Sequence, residues 1–451
     1  MRRVCVYFAM LILCVGDAMG AQNKNGVELK NYDMSKAQKN TNKVEYINIH
    51  NVQVPFIFEQ NTHLPVGSIE LVFMGGSADS EIAGLASISA RILNEGTKEL
   101  GSVAFADKLE SKAIDLYASA GLQTLRFDIS YLKEFEDESL RLLAMLLSGP
   151  NLTQESLEKV RALSLSKLAR DESDFDDVAE KNLNKILFKG TPLAIPLSGD
   201  KASVESIKLK DVEDFLARNL VLNRLIIVAG GDMQEEKIKA KLTHTLQSLP
   251  LGEAKQKLHF EVAKQADSMV VQKSTEQAFI YFGAPFDVKD KEKNYIAKVM
   301  SFILGGSGFG SRIMEEVRVK RGLAYSASLY ISVGGAADYA SGHLQTKLEN
   351  KDEAINVVKE VVNNFIAKGA TEEELSAAKA FLLGSEPLRE EKLTSRLNTK
   401  FMNYFKGLPL DYHKKELEQI SKLTLAELNA YITSHKEILQ MSFSIVESLP
   451  N

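Results

Sequence analysis

The chain writes the same succession of elements twice. Asn151-Leu152-Thr153-Gln154-Glu155-Ser156-Leu157 carries a threonine ahead of first-turn acids, followed by apolar residues at helical spacing. Gly369-Ala370-Thr371-Glu372-Glu373-Glu374-Leu375 repeats that pattern 218 residues later. Both read as capped helix starts. Residues 209–216 and 425–432 form a second helical pair, offset by 216, and in each copy an apolar strand begins nine residues on, at Leu225 and Met441. A third pair, residues 68–73 and 277–282, alternates apolar and polar side chains as strands do, with an offset of 209. Three echoes in one order are better explained by duplication than by chance, and a period this long excludes a solenoid. The expected fold is therefore α+β: two homologous lobes, each an antiparallel-rich sheet with helices packed on one face. The lobes should occupy residues 44–246 and 268–451, joined by a connector over 247–267 that holds Pro250 and Gly252. The polar stretch 21–43 reads as a mobile lead-in.

Residues 1–20 stand apart from this pattern. Arg2 and Arg3 precede an apolar run over 4–15, and Ala18-Met19-Gly20 offers the small residues that a signal peptidase reads. The run is too short to span a bilayer, so cleavage and export are expected, to the periplasm of a Gram-negative bacterium or to the medium. Both cysteines, Cys5 and Cys14, lie in this segment, which leaves the rest of the chain without a thiol nucleophile or thiolate ligand. The net charge is −5, with Lys+Arg 55 against Asp+Glu 60, and there is no basic footprint for nucleic acid.

One region is specific enough to suggest a family. Gly75-Gly76-Ser77-Ala78-Asp79 is followed by Gly84-Leu85-Ala86-Ser87-Ile88-Ser89-Ala90-Arg91 and then Gly96-Thr97. This resembles the signature of the pitrilysin-type peptidases, the inverted zincins that include the mitochondrial processing peptidase, in which Gly-Leu-Ala leads into His-x-x-Glu-His on a helix. The resemblance continues through Thr191-Pro192-Leu193-Ala194-Ile195-Pro196-Leu197, through Val228-Ala229-Gly230-Gly231-Asp232, and through Arg318-Val319-Lys320-Arg321-Gly322-Leu323-Ala324-Tyr325. It implies that two such chains close as a clamshell around a peptide chamber.

The catalytic signature itself is degenerate. An inverted-zincin site needs two imidazoles at i and i+4 with a glutamate between them, and a further glutamate about 76 residues on. The matching positions hold Ser87, Ala90, Arg91 and Lys167. A methyl cannot act as base, and neither guanidinium nor ammonium offers zinc a lone pair at neutral pH. None of the seven histidines stands within seven residues of another. No cofactor is expected in this chain.

The family's substrate-binding arginine and tyrosine, by contrast, have counterparts in Arg318 and Tyr325. A guanidinium and a phenol can both donate to a carbonyl oxygen that becomes an oxyanion. Gly305, Gly306, Gly308 and Gly310 form a glycine-rich run that lacks the lysine of a phosphate-binding loop; it resembles the loop through which the processing peptidase's non-catalytic subunit admits substrate. The resemblance implies a non-catalytic, substrate-binding subunit that pairs with a zinc-bearing pitrilysin-type partner. Arg318 and Tyr325 would complete the partner's site in trans on a peptide or unfolded polypeptide. The alternative is a catalytically inactive scaffold or peptide-holding protein of the same fold.

Overall fold

Alternating strand patterns become two sheets in the computed structural model, which describes residues 42–448. The signal segment and residues 21–41 of the lead-in lie outside the described residues. The first sheet contains β1 (Glu45–Ile49), β2 (Val52–Gln60), β3 (Val66–Met74), β4 (Asp115–Ala120), β5 (Thr124–Leu132) and β6 (Leu225–Gly231), in the order β1-β2-β6-β3-β5-β4. The second contains β7 (Ser268–Gln272), β8 (Gln277–Pro285), β9 (Ala324–Ser332), β10 (Tyr339–Lys347) and β11 (Ser442–Glu447), in the order β7-β11-β8-β10-β9. With β1 set aside, the two orders are the same. Each sheet also has one parallel pair, β2 with β6 and β7 with β11, among otherwise antiparallel neighbours. The duplication read from three echoes thus extends to topology. The capping threonines hold as well: Thr153 accepts from the Ser156 amide and Thr371 from the Glu374 amide, a contact that typically contributes about 1 kcal/mol.

β6, Leu-Ile-Ile-Val-Ala-Gly-Gly, is buried along its whole length. A strand apolar on both faces must be covered on both. Leu225, Ile227 and Ala229 join the main core of the first half, beneath helices that include Leu85–Leu93 and Leu209–Asn219. Ile226 and Val228 face the other way and meet Leu397 and Phe401 of helix Leu393–Phe405, which comes from the second half of the sequence. The reciprocal crossing also occurs. Helix Phe175–Leu187, from the first half, lies on β8 and β11, with Phe175 edge-on to Phe279 at 5.5 Å. Gly283 of β8 makes room for it, since a Cβ there would stand 2.9 Å from a Leu187 methyl. The main helical layer covers one face of each sheet, and the opposite faces exchange helices.

A charged group crosses the same joint. The fully buried Glu59 of β2 accepts from Arg396 Nε at 2.6 Å and from Lys400 Nζ at 2.7 Å, both donors lying on the exchanged helix. The connector between the halves is fastened to each of them. Gln123 donates to the Leu258 carbonyl at 2.9 Å, and the Phe260 amide donates to the Ala336 carbonyl at 2.7 Å.

Candidate functional site

The degenerate signature lies on helix Leu85–Leu93, which starts from Gly84 at φ +86°. A Cβ on Gly84 would stand 2.8 Å from the Ser198 carbonyl oxygen, so both the left-handed backbone and the close approach select glycine. Ser87 and Arg91 are half-buried and Ala90 is buried. Lys167 projects from the neighbouring helix Gln154–Asp171 and pairs with Asp171 at 2.6 Å. No imidazole or carboxylate stands in for the missing ligands at these four positions, and the donors that are present repel a cation. The residues do not fit zinc.

In the second half, the structure brings together groups that the sequence had only spaced. Helix Asn294–Ser301 runs on into a π-helical turn, Phe302–Gly306, and a second such turn, Glu315–Lys320, carries Arg318. π-Turns are rare and recur at functional sites. Between them the chain passes through Gly308 at φ +66° and Gly310 at φ +94°, and is tied at its base by buried Ser311, whose hydroxyl donates to the Gly308 carbonyl at 2.8 Å. This places the Phe309 ring 4.6 Å from the Arg318 guanidinium carbon, and Tyr325 approaches the same carbon at 4.4 Å.

Tyr325 reaches that position through a β-bulge. Ala327 faces Leu344 and Ala324 faces Thr346, so Tyr325 and Ser326 together oppose the single residue Gln345. Both side chains therefore turn outward while Ala324 and Ala327 stay buried, and Tyr325 is 82% exposed. Bulges re-aim side chains in this way beside active sites.

Charge pairing separates Arg318 from its neighbours. Arg312 is locked to Glu374 at 2.6 Å, Lys320 to Glu316 at 2.6 Å, and Arg321 reaches Glu316 and Glu360 at 3.8 and 3.6 Å. Among the described residues, the Arg318 guanidinium makes no ion pair and no side-chain hydrogen bond. A guanidinium attracted to aromatic rings gives up none of its N–H donors to them.

The four glycines divide into two roles. Gly305 is buried, and a Cβ there would fall 2.4 Å from the Leu329 amide nitrogen, so it serves the packing of helix on strand. Gly306 ends the π-turn. Gly308 and Gly310 shape the exposed tip, with open space around them. Phe309 escaped the sequence reading, which weighed the loop by its glycines; its signal was a single large apolar residue in a run of small ones.

Two family models match in succession: "Insulinase (Peptidase family M16)" over residues 56–201 and "Peptidase M16 inactive domain" over 206–382. The chain is 45% identical over 403 residues to the non-peptidase homologue YmxG of Helicobacter pylori, covering 89% of this chain and 93% of that one. The chain belongs to the M16 family. It is a catalytically inactive member of it. An M16 inactive domain from Pseudomonas fluorescens superposes with a TM-score of 0.81 at 24% identity, over 90% of this chain and 98% of that one. The periplasmic protease PqqL of Escherichia coli shares the fold at TM-score 0.73 and 13% identity, over 90% of this chain and 46% of its own.

Elsewhere in this M16 chain, side chains of metal-ligating type come together. Glu386, Glu390 and His413 bring ligand atoms within 4.8 Å of one another, at the edge of a 460 Å³ cleft. His413 Nε2 already lies 2.7 Å from Glu390 Oε1, and Lys298, Arg389, Arg396, Lys400 and Lys406 line the same cleft. Of these, Lys298 pairs with Glu416, and Arg396 and Lys400 pair with Glu59. Among the described residues, no helix of this chain is long and apolar enough to cross a membrane.

Proposed function

We propose that this chain is the substrate-binding, non-catalytic subunit of a two-chain periplasmic zinc peptidase of the M16 family. The partner subunit carries the intact His-x-x-Glu-His and its zinc, and this chain supplies Arg318 and Tyr325 in trans. The observation that carries the reading is the uncommitted guanidinium of Arg318 beside the exposed Tyr325. A scaffold has no use for a half-buried guanidinium without a counter-charge beside an exposed phenol, whereas an extended peptide offers carbonyl oxygens that such donors can hold as charge develops on them. The loss of every metal-binding and base function at Ser87, Ala90, Arg91 and Lys167 supports a division of labour between two chains.

The test is reconstitution with an M16 subunit of the same organism that carries the full motif. The mixture should form a 1:1 complex and cleave unfolded polypeptide, while this chain alone cleaves nothing. Tyr325→Phe, which removes only the hydroxyl, should lower kcat by about 10²–10³, the usual effect of losing one oxyanion donor, with assembly and zinc content unchanged. A fully active partner without this chain, or a Tyr325→Phe complex with normal kcat, overturns the proposal.

A further inference from the structure

We propose that Phe309 is a positioning residue: with Tyr325 it clamps the Arg318 guanidinium by its two faces and so aims the in-plane N–H groups at an acceptor oxygen of an extended polypeptide. This deepens the functional reading above and rests on it for the identity of the ligand.

Three observations converge. Phe309 is 68% exposed, so it does not serve the core, and its ring lies 4.6 Å from the Arg318 guanidinium carbon. Its position depends on two left-handed glycines, Gly308 and Gly310, and on the buried Ser311 tie beneath them. These are backbone features that L-residues adopt only at a cost. Finally, Arg318 is the cation of its segment without a carboxylate, while Arg312, Lys320 and Arg321 are all paired. A half-buried arginine without a counter-charge would otherwise sample many rotamers. Two rings packed against it, at 4.6 and 4.4 Å, restrict it without consuming any of its donors, which a carboxylate partner would do. Pre-ordering of this kind raises affinity by lowering the entropy lost on binding.

The proposal separates an aromatic role from a merely apolar one. Phe309→Tyr keeps a π-face over the guanidinium, whereas Phe309→Leu keeps bulk but not the quadrupole. In ¹⁵N–¹H spectra of the full chain, the Arg318 Nε–H signal, assigned by its loss in Arg318→Lys, should stay in place in Phe309→Tyr and move in Phe309→Leu. The probe is an extended peptide without acidic residues, acetylated and amidated at its ends so that only carbonyl oxygens can accept. In the partnered protein, Phe309→Leu should raise KM for this peptide by about two- to five-fold, the range expected for an exposed cation–π contact, and Phe309→Tyr should restore it. An Arg318 signal unmoved by Phe309→Leu, or a KM that follows side-chain bulk and not aromaticity, overturns the clamp. A normal clamp signal that no peptide perturbs, in a complex without activity, overturns the functional reading instead.

Discussion

Glu59→Gln tests how the two halves are joined. Glu59 is fully buried on β2, and its two oxygens accept from Arg396 Nε at 2.6 Å and Lys400 Nζ at 2.7 Å on the exchanged helix. The substitution keeps volume and one acceptor oxygen but removes the negative charge that both buried cations face. Removing one partner of a buried pair costs about 3–5 kcal/mol. Arg396 also donates to the Glu390 and Glu391 carbonyls at 2.5 and 3.0 Å, which soften its loss, so the lower end, about 3 kcal/mol, is expected. Unfolding in one step releases roughly 0.85 kcal/mol/K at about 2.1 cal/mol/K per residue over residues 42–448, so the melting temperature should fall by roughly 3–4 °C. Because the helix is encoded in the second half and packs on the first sheet, the loss should appear in one calorimetric transition. A triple variant, Glu59→Leu with Arg396→Met and Lys400→Met, should recover most of the stability, since apolar replacements of buried charges are often neutral or better. If Glu59→Gln melts within about 2 °C of the parent, or if two transitions separate, the joint described above is wrong.

Purified chain should hold no stoichiometric zinc after dialysis, and elemental analysis showing one tightly bound ion per chain would overturn the reading of Ser87, Ala90, Arg91 and Lys167. Gly305→Ala should cost about 1–3 kcal/mol in urea unfolding, because its methyl would meet the Leu329 backbone at 2.4 Å; a loss under about 0.5 kcal/mol would mean that the helix can move away. Glu374 gives a pH dependence: burial alone would raise its carboxyl, but hydrogen bonds from Arg312 and the Thr371 amide, with the Arg312 charge, hold it below the usual 4.5. A depressed folded pKa contributes stability that is present above the unfolded value and lost as pH falls through the folded one. The stability gap between parent and Glu374→Gln should therefore be full at neutral pH and close progressively below 4.5; a gap that does not change with pH would refute the pairing.

The sequence by itself determined what is local or periodic. Duplicated helix caps at Thr153 and Thr371 and alternating strands at β3 and β8 announced two sheets of one design, because capping chemistry and side-chain period are written in consecutive residues. The inactive centre was legible for a related reason: metal binding needs particular donors at fixed positions on one helix, and Ser87, Ala90 and Arg91 are not those donors. The tertiary structure alone decided where apolar faces go and which way side chains turn. The pattern of helix Leu393–Phe405 shows that Leu397 and Phe401 must be buried, yet nothing in it says that the receiving surface is Ile226 and Val228 of the other half. Tyr325 could have pointed inward or outward, since strand alternation fixes period but not parity; the bulge opposite Gln345 settled it. Phe309 meets Arg318 only because left-handed glycines fold the loop back over the π-turn. Contacts between segments depend on the path of the backbone between them, and that path is set by the packing of the whole molecule.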